Sequence, residues 1–431
     1  MKKIGFQTLG CKVNIYESNA LKNELINRGY LVVEPSSDCD AFIVNTCSVT
    51  NMADAKSRKI INRMKKLNPD AVLCVMGCYS QTNQEVLDIE GVDIIVGNGN
   101  KKEVIKMLED KFIDKQIEKK IKILDILNTH EYEKLEVTTY DHTRAFVKIQ
   151  DGCENFCTYC IIPYARGPIR SKEADDVISE LIRVTEEGYV EVVLAGIHTG
   201  KYHDGNLNLT GLIKRILNEF PLLERLSLSS IGINEIDDEF IELMKNNSIL
   251  ANHLHLPLQS GSDLVLSKME RKYDTKFFKE RITKIKEARP DISITTDVIV
   301  GFPYESDLEY EKSVEFIKDI NFSKIHVFPY SKRKGTKAVD MPQVQDILKK
   351  KRTINLINVS EQLELEYAKK FIGKTLTVLF EKKLDSDYMV GHTSNYLQVI
   401  TELDEKLIKK NAKVIIEKVC VDKVYGKIVT E

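Results

Sequence analysis

Twice along the chain, short apolar runs suited to strands alternate with amphipathic runs suited to helices, and few folds accommodate that rhythm. Between residues 3 and 110 the strand-like runs fall at 3–9, 30–34, 41–45, 71–76 and 92–96. Strands separated by helices cannot pair as hairpins, so this α/β pattern predicts a doubly wound parallel sheet with helices on both faces. From 144 to about 370 the alternation occurs six times, with strands at 145–149, 190–194, 225–228, 254–258, 292–300 and 324–328. Six βα units are too few for the usual eight-unit closed barrel and predict an open, partial (βα)6 barrel. Residues 371–431 change character, and strand-like runs at 375–380, 388–391, 396–400 and 413–419 between polar turns predict a small β-barrel. The expected parts are therefore 1–110, 144–370 and 371–431. Between the first two lies a connector, 111–143, rich in Lys and Glu, with room for one short strand. A chain of 431 residues has the length for that many domains.

Met1-Lys2-Lys3 runs directly into a strand-like segment, and no apolar stretch has the length of a membrane span. The expectation is a cytoplasmic protein with no membrane partner. In a reducing compartment nine cysteines more often bind metal or do chemistry than form disulfides. The net charge of −2 provides no global basic footprint, so any RNA site has to be local. Candidate basic clusters are Arg58-Lys59, residues 63–66, Lys332-Arg333-Lys334 and residues 349–352, each of which also reads as a solvated face.

Cys153, Cys157 and Cys160 have the spacing C-x3-C-x2-C in the loop after the first barrel strand. Three thiolates hold three irons of a [4Fe–4S] cube, which normally takes one cysteine per iron. The fourth iron is then open to chelate the amino and carboxylate groups of S-adenosylmethionine. A zinc knuckle would need a fourth closed ligand, and none lies nearby in sequence. Cys11, Cys47 and Cys78 each follow a strand-like run of the first part. They are expected at one edge of a parallel sheet, the edge where open α/β sheets bind ligands. Gly10 and Gly77 beside them let a bulky cluster approach the backbone. Spacing alone also allows these three to be buried structural thiols. Cys39 in a polar turn, Cys74 between Leu73 and Val75, and Cys420 between Val419 and Val421 fit that second reading better. Among the barrel loops, Tyr159, Gly196, Ser229 and Gln259 are candidate S-adenosylmethionine contacts on the face that carries barrel active sites, although a Gly after a strand is often only a turn residue.

These residues together resemble the methylthiotransferase family of radical S-adenosylmethionine enzymes, which thiomethylate tRNA adenosines or a ribosomal-protein aspartate. The similarity covers nearly the whole chain, including Asn45-Thr46-Cys47, Gly77-Cys78, the C-x3-C-x2-C segment and a C-terminal stretch similar to a TRAM domain. Leu9-Gly10-Cys11-Lys12-Val13-Asn14, the run from Phe156 to Gly167, and Pro329-Tyr330-Ser331-Lys332-Arg333-Lys334-Gly335-Thr336 resemble the branch acting on N6-threonylcarbamoyladenosine beside the anticodon. Tyr304-Glu305-Ser306 and Lys337 depart from the usual pattern, in loops away from the six cysteines.

The resemblance implies two [4Fe–4S] clusters, a tRNA partner and an electron donor such as flavodoxin or ferredoxin. It further implies that the Cys153, Cys157, Cys160 cluster cleaves S-adenosylmethionine to a radical that attacks C2–H of the adenine. The Cys11, Cys47, Cys78 cluster would hold the sulfur, and no catalytic residue is expected beyond the ligands. The alternatives are a ribosomal-protein aspartate or isopentenyladenosine tRNA as substrate, another radical reaction, or a non-catalytic RNA-binding metal protein. RNA binding by residues 371–431 follows from the resemblance only, because 10 Lys, no Arg and 9 acidic residues leave a formal charge of +1.

Overall fold

A parallel strand covered on both faces reads as a continuous apolar run, and two such runs, Ala41–Thr46 and Val72–Gly77, are buried at every residue. In the computed structural model, which describes residues 1–431 apart from 115–117, 221–222, 422 and 430–431, they form the centre of a six-stranded sheet. Its strands are β1 (Lys3–Thr8), β2 (Leu31–Val33), β3 (Ala41–Thr46), β4 (Val72–Gly77), β5 (Ile94–Val96) and β6 (Lys120–Lys122). Their order is β2-β1-β3-β4-β5-β6, and all pairs are parallel. Ile4, Leu21, Ile43 and Leu108 fill one side, and Phe42, Ile61, Val75 and Tyr79 the other, as a doubly wound sheet requires. The chain steps one way from β1 to β2 and the other way from β3 onward. The switch point, where such sheets bind ligands, therefore lies between the C-termini of β1 and β3.

The sheet extends past residue 110, its expected end, since the helix Glu103–Ile113 straddles that position and β6 lies beyond it. Among the described residues β6 is an edge strand paired with β5, so it needs no apolar run, and Lys-Ile-Lys shows none.

The six barrel strands are Ala145–Lys148, Glu191–Ala195, Arg225–Leu228, His253–His255, Ser293–Val300 and Lys324–Pro329. They pair in parallel as two runs of three, joined where Leu226 bridges Leu250 and Ile231 N–H donates to His255 O at 3.1 Å. The fourth strand ends before Pro257, which has no N–H to donate. The helix Asp346–Lys369 closes the barrel's last edge, with Leu356, Val359 and Leu363 in the main core and Ser360 Oγ accepting Ile325 N–H at 2.9 Å. Its Lys349 and Arg352, expected in a basic cluster, are buried instead. Arg352 pairs with Glu305 and Asp307, each at 2.7 Å, so this part of the cluster is structural.

The strands Thr375–Lys383, Tyr388–Thr393, Gln398–Glu402, Asn411–Cys420 and Lys423–Ile428 form a closed five-stranded barrel. The last strand was not among those expected. Gly426 weakens its strand pattern, yet the close pairing needs a glycine: a Cβ there would meet Val414 Cγ1 at 2.5 Å. Among the described residues, no helix is long and apolar enough to cross a membrane.

Candidate active site

The loop from Gly152 to Cys160 is shaped by local backbone requirements. Gly152 adopts φ +78, and a Cβ there would lie 1.8 Å from Pro168 O. Phe156 is also left-handed at φ 45, a conformation non-glycine residues hold only when their surroundings impose it. Cys153 N–H donates to Gly167 O at 3.0 Å and Cys160 N–H to Cys157 O at 2.9 Å, folding the three thiols into one short loop. Arg271 Nη1 donates to Cys157 Sγ at 3.3 Å, and His198 Nδ1 lies 3.9 Å from Cys153 Sγ. Burial alone would lower the His198 imidazole, but its contacts with Cys153 and with Glu235, 3.3 Å away, outweigh burial and bring it up to about 9. Burial pushes the Cys160 thiol up to about 12. Arg271 had no signal in the sequence: its importance comes from a loop that folds back over Cys157.

The second group is assembled from three separate strand ends. Cys11 follows β1, Cys47 follows β3 and Cys78 follows β4. Gly10, at φ +103, could carry no side chain, since its Cβ would come within 3.0 Å of Cys47 Cβ and 3.3 Å of Cys47 Sγ. Gly77, at φ +101, would clash with Asn45 Oδ1 at 2.6 Å. Three asparagines tie the loops together. Asn14 donates to Leu9 O at 2.6 Å and Thr46 O at 3.0 Å; Asn45 donates to Asn14 O at 3.0 Å; Asn98 donates to Cys78 Sγ at 3.5 Å and Ala165 O at 2.7 Å. Burial, reinforced by the neighbouring Cys78, pushes the Cys47 thiol up to about 11. Ligation would deprotonate such a thiol outright.

Beneath this group lies a buried ionic network shared by sheet and barrel. Arg166, wholly buried, pairs with Glu17 at 2.6 Å and Asp151 at 3.3 Å and donates to Asn14 Oδ1. Lys148 pairs with Glu17 at 3.0 Å and Asp151 at 2.7 Å, Lys101 with Glu17 at 3.1 Å, and Arg170 reaches Asp151 at 3.7 Å. Burial works against the Glu17 carboxylate, but Arg166, Lys101 and Lys148 hold it well below the usual carboxylate range.

A cavity of about 1090 Å³ opens between all three parts of the chain. Gly10, Cys11 and Lys12 line it from the sheet; Cys153, Cys157 and Cys160 from the barrel; His392, Tyr396 and Lys423 from the C-terminal barrel. Tyr159, Gly196, Ser229 and Gln259 line it too, so all four candidate cofactor contacts share a wall with the cysteine loop. Gln259 is left-handed at φ 69, and Ser229 Oγ is already engaged by Gly196 N–H at 3.2 Å and by Thr199 Oγ1 at 2.6 Å. Cys47 and Cys78 are not cavity-lining and lie behind the Cys11 rim. Along the far wall, His253 stacks on Tyr396 with centroids 4.5 Å apart, and Thr295 Oγ1 contacts His253 Nε2 at 3.0 Å and His255 Nδ1 at 2.9 Å.

The donor set suits iron–sulfur clusters, since all six thiols are free and Arg271 and Asn98 donate N–H groups to Cys157 and Cys78. A [4Fe–4S] cube takes its thiolates at separate corners, one for each iron. Two expectations need correction. Arg333, read as part of an exposed RNA-binding cluster, is buried: it pairs with Asp54 at 2.6 Å and donates to Ser48 Oγ at 2.7 Å and Asn51 Oδ1 at 2.9 Å. Cys39 and Cys74 are buried as structural thiols should be, but Cys420, expected with them, is half-buried and lines the cavity.

Residues 3–97 match the Uncharacterized protein family UPF0004, and residues 147–317 match the Radical SAM superfamily. The chain is 42% identical to a Bacillus subtilis (strain 168) protein named threonylcarbamoyladenosine tRNA methylthiotransferase MtaB, over 96% of this chain and 93% of that one. An Aquifex aeolicus (strain VF5) protein of the same name is 37% identical, over 93% and 97%. A Thermoanaerobacter sp. (strain X514) protein named tRNA-2-methylthio-N(6)-dimethylallyladenosine synthase is 34% identical, over 95% and 88%. Among solved structures, the radical S-adenosylmethionine methyltransferase TsrM from Kitasatospora setae, with cobalamin and a [4Fe–4S] cluster bound, superposes with a TM-score of 0.58 over 90% of this chain and 81% of that one. At 13% identity that likeness is one of fold. The extent and identity of these sequence matches settle the family: the chain belongs to the MtaB-type methylthiotransferases, enzymes of the radical S-adenosylmethionine superfamily that work with [4Fe–4S] clusters and S-adenosylmethionine.

Proposed function

We propose that the chain converts N6-threonylcarbamoyladenosine next to the tRNA anticodon to its 2-methylthio derivative. The observation that carries this reading is the single cavity lined by Cys11 on one side and by Cys153, Cys157 and Cys160 on the other. Sulfur insertion at an unactivated carbon needs a radical generator and a sulfur-bearing centre facing one substrate. Clefts for one small molecule run to roughly 300–1,000 Å³, so a cavity of about 1090 Å³ has room for a nucleoside beside the cofactor.

In this reading Cys153, Cys157 and Cys160 hold the cluster that coordinates S-adenosylmethionine, Cys11, Cys47 and Cys78 hold the second, and Tyr159, Gly196, Ser229 and Gln259 contact the cofactor. When bound, these groups supply the radical, the sulfur and the methyl group. The chain's own residues position and shield them. Arg271 places positive charge against Cys157, and His198 lies 3.9 Å from Cys153. Tyr396 and His253 present an aromatic stack at the far wall, and Thr295 and Asp297, each already in contact with His255, add a polar lining suited to a carbamoyl substituent.

Arg333 fastens its loop to the start of helix Asn51–Leu67. Exposed Lys332 and Lys334 are thereby brought to the helix that exposes Lys56, Arg58, Lys59, Arg63 and Lys66, and this local basic surface suits an RNA backbone. An electron donor such as flavodoxin or ferredoxin and a cytoplasmic location belong to the same reading.

Mass spectrometry of tRNA nucleosides from cells lacking the protein tests it. The expected result is loss of the 2-methylthio form of N6-threonylcarbamoyladenosine and accumulation of its precursor. Loss of 2-methylthio-isopentenyladenosine instead would move the chain to the substrate of the Thermoanaerobacter relative, and unchanged tRNA would sink the reading.

A further inference from the structure

Arg166 belongs to the barrel, six positions after Cys160, yet its guanidinium reaches Asn14 and Glu17 of the N-terminal helix Lys12–Asn27. In the network around it four cations, Lys101, Lys148, Arg166 and Arg170, meet two carboxylates, Glu17 and Asp151. Arg166 and Lys101 are fully buried. A surplus of buried positive charge is unfavourable unless a negative group lies close by. Glu133 acts on Lys101, and the candidates beside Arg166 are the Cys11, Cys47 and Cys78 sulfurs. Arg166 Nη2 and Cys11 Sγ share one acceptor, Asn14 Oδ1, with the sulfur at 4.0 Å. Asn98, bonded to the backbone of Ala165 next to Arg166, also donates to Cys78 Sγ. Arg166 Nε is buried with no hydrogen-bond partner, a donor left free on the side chain that faces these thiols.

We propose that Arg166 is a positioning residue for the N-terminal cluster: its buried guanidinium is the counter-charge to the three thiolates and raises the cluster's reduction potential. The proposal rests on Cys11, Cys47 and Cys78 being the ligands. The physical reason is that reduction adds a negative charge, which a fixed cation in a medium of low polarity stabilises, while net charge and hydrogen bonds to sulfur set the potentials of such clusters. Because Arg166 follows the barrel's own cysteine loop, docking of barrel on sheet completes the environment of the second cluster.

The test uses the full chain with Cys153, Cys157 and Cys160 changed to alanine, so that only the N-terminal cluster remains, and titrates its reduction by electron paramagnetic resonance. Arg166→Gln is expected to lower the reduced-to-oxidised ratio at fixed solution potential by about tenfold, which is about 59 mV for one electron. Arg166→Lys keeps the charge and is expected to stay near the parent. Glu17→Gln removes a negative charge from the same network and is expected to shift the potential the other way, upward. That opposite sign separates electrostatics from structural damage and carries the test if Arg166→Gln does not retain its cluster. Potentials unmoved by both changes, or moved in the same direction by both, would overturn the proposal. A parent protein that binds no iron would instead overturn the ligand assignment.

Discussion

The two cysteine groups reach the same cavity by opposite routes. Cys153, Cys157 and Cys160 sit within one loop whose shape comes from its own turns, Gly152 and left-handed Phe156 among them, and all three line the cavity. Cys11, Cys47 and Cys78 are far apart in sequence, and only Cys11 is cavity-lining. What gathers them is the parallel order of β1, β3 and β4, two glycines, three asparagines and a buried network that includes barrel residues. The lesson is that a local loop keeps its thiols together whenever the loop folds, whereas the assembled group depends on the sheet and on its docking to the barrel.

The largest effect that could break this comparison is loss of a whole group. The intact protein is expected to bind about eight irons, and changing Cys11, Cys47 and Cys78 to alanine should leave about four and retain cleavage of S-adenosylmethionine. Changing Cys153, Cys157 and Cys160 should also leave about four but abolish cleavage. Anaerobic iron analysis and product chromatography decide both, and loss of all iron from either variant would show the groups to be interdependent.

Gly77→Ala sharpens the contrast next. A side chain at φ +101 and 2.6 Å from Asn45 Oδ1 should displace the Cys78 loop and strip the N-terminal irons, leaving those of the barrel. Retention of all the iron would mean that this loop tolerates more movement than its packing implies.

Arg333→Ala addresses docking. Removing one partner of a buried ion pair leaves Asp54 uncompensated and should lower stability by about 3 kcal/mol, read by thermal unfolding of the reconstituted protein. The N-terminal irons should then yield faster to a chelator than the barrel irons, and equal rates would separate docking from cluster retention. Cys74→Ser, at a wholly buried position in the sheet core, should cost about 1–3 kcal/mol without changing iron content. Selective loss of the N-terminal irons there would overturn the choice of Cys78.

The smallest effect is expected at Lys332 and Lys334, which are exposed and touch neither group. Alanine at both should leave cleavage of S-adenosylmethionine intact and flatten the salt dependence of tRNA binding by roughly 1.4, about 0.7 for each single-strand phosphate that is no longer neutralised. An unchanged slope would make them ordinary solvated side chains.

Periodicity by itself determined the three α/β and β regions, because strand and helix repeats are local consequences of which face each residue buries. Spacing likewise determined the C-x3-C-x2-C loop, whose three thiols are neighbours on any path the chain could take. The edge strand β6 and the last strand of the C-terminal barrel left little trace in the sequence, since each is held by pairing more than by its own apolar pattern. Tertiary structure alone decided which basic residues are free. Arg333 and Arg352 look like Lys332 and Lys334 in sequence, but buried carboxylates on distant segments claim them. It also decided the surroundings of the second cysteine group, because Arg166 reaches Glu17 and Asn14 from the barrel and such a long-range contact leaves no periodic trace in a sequence.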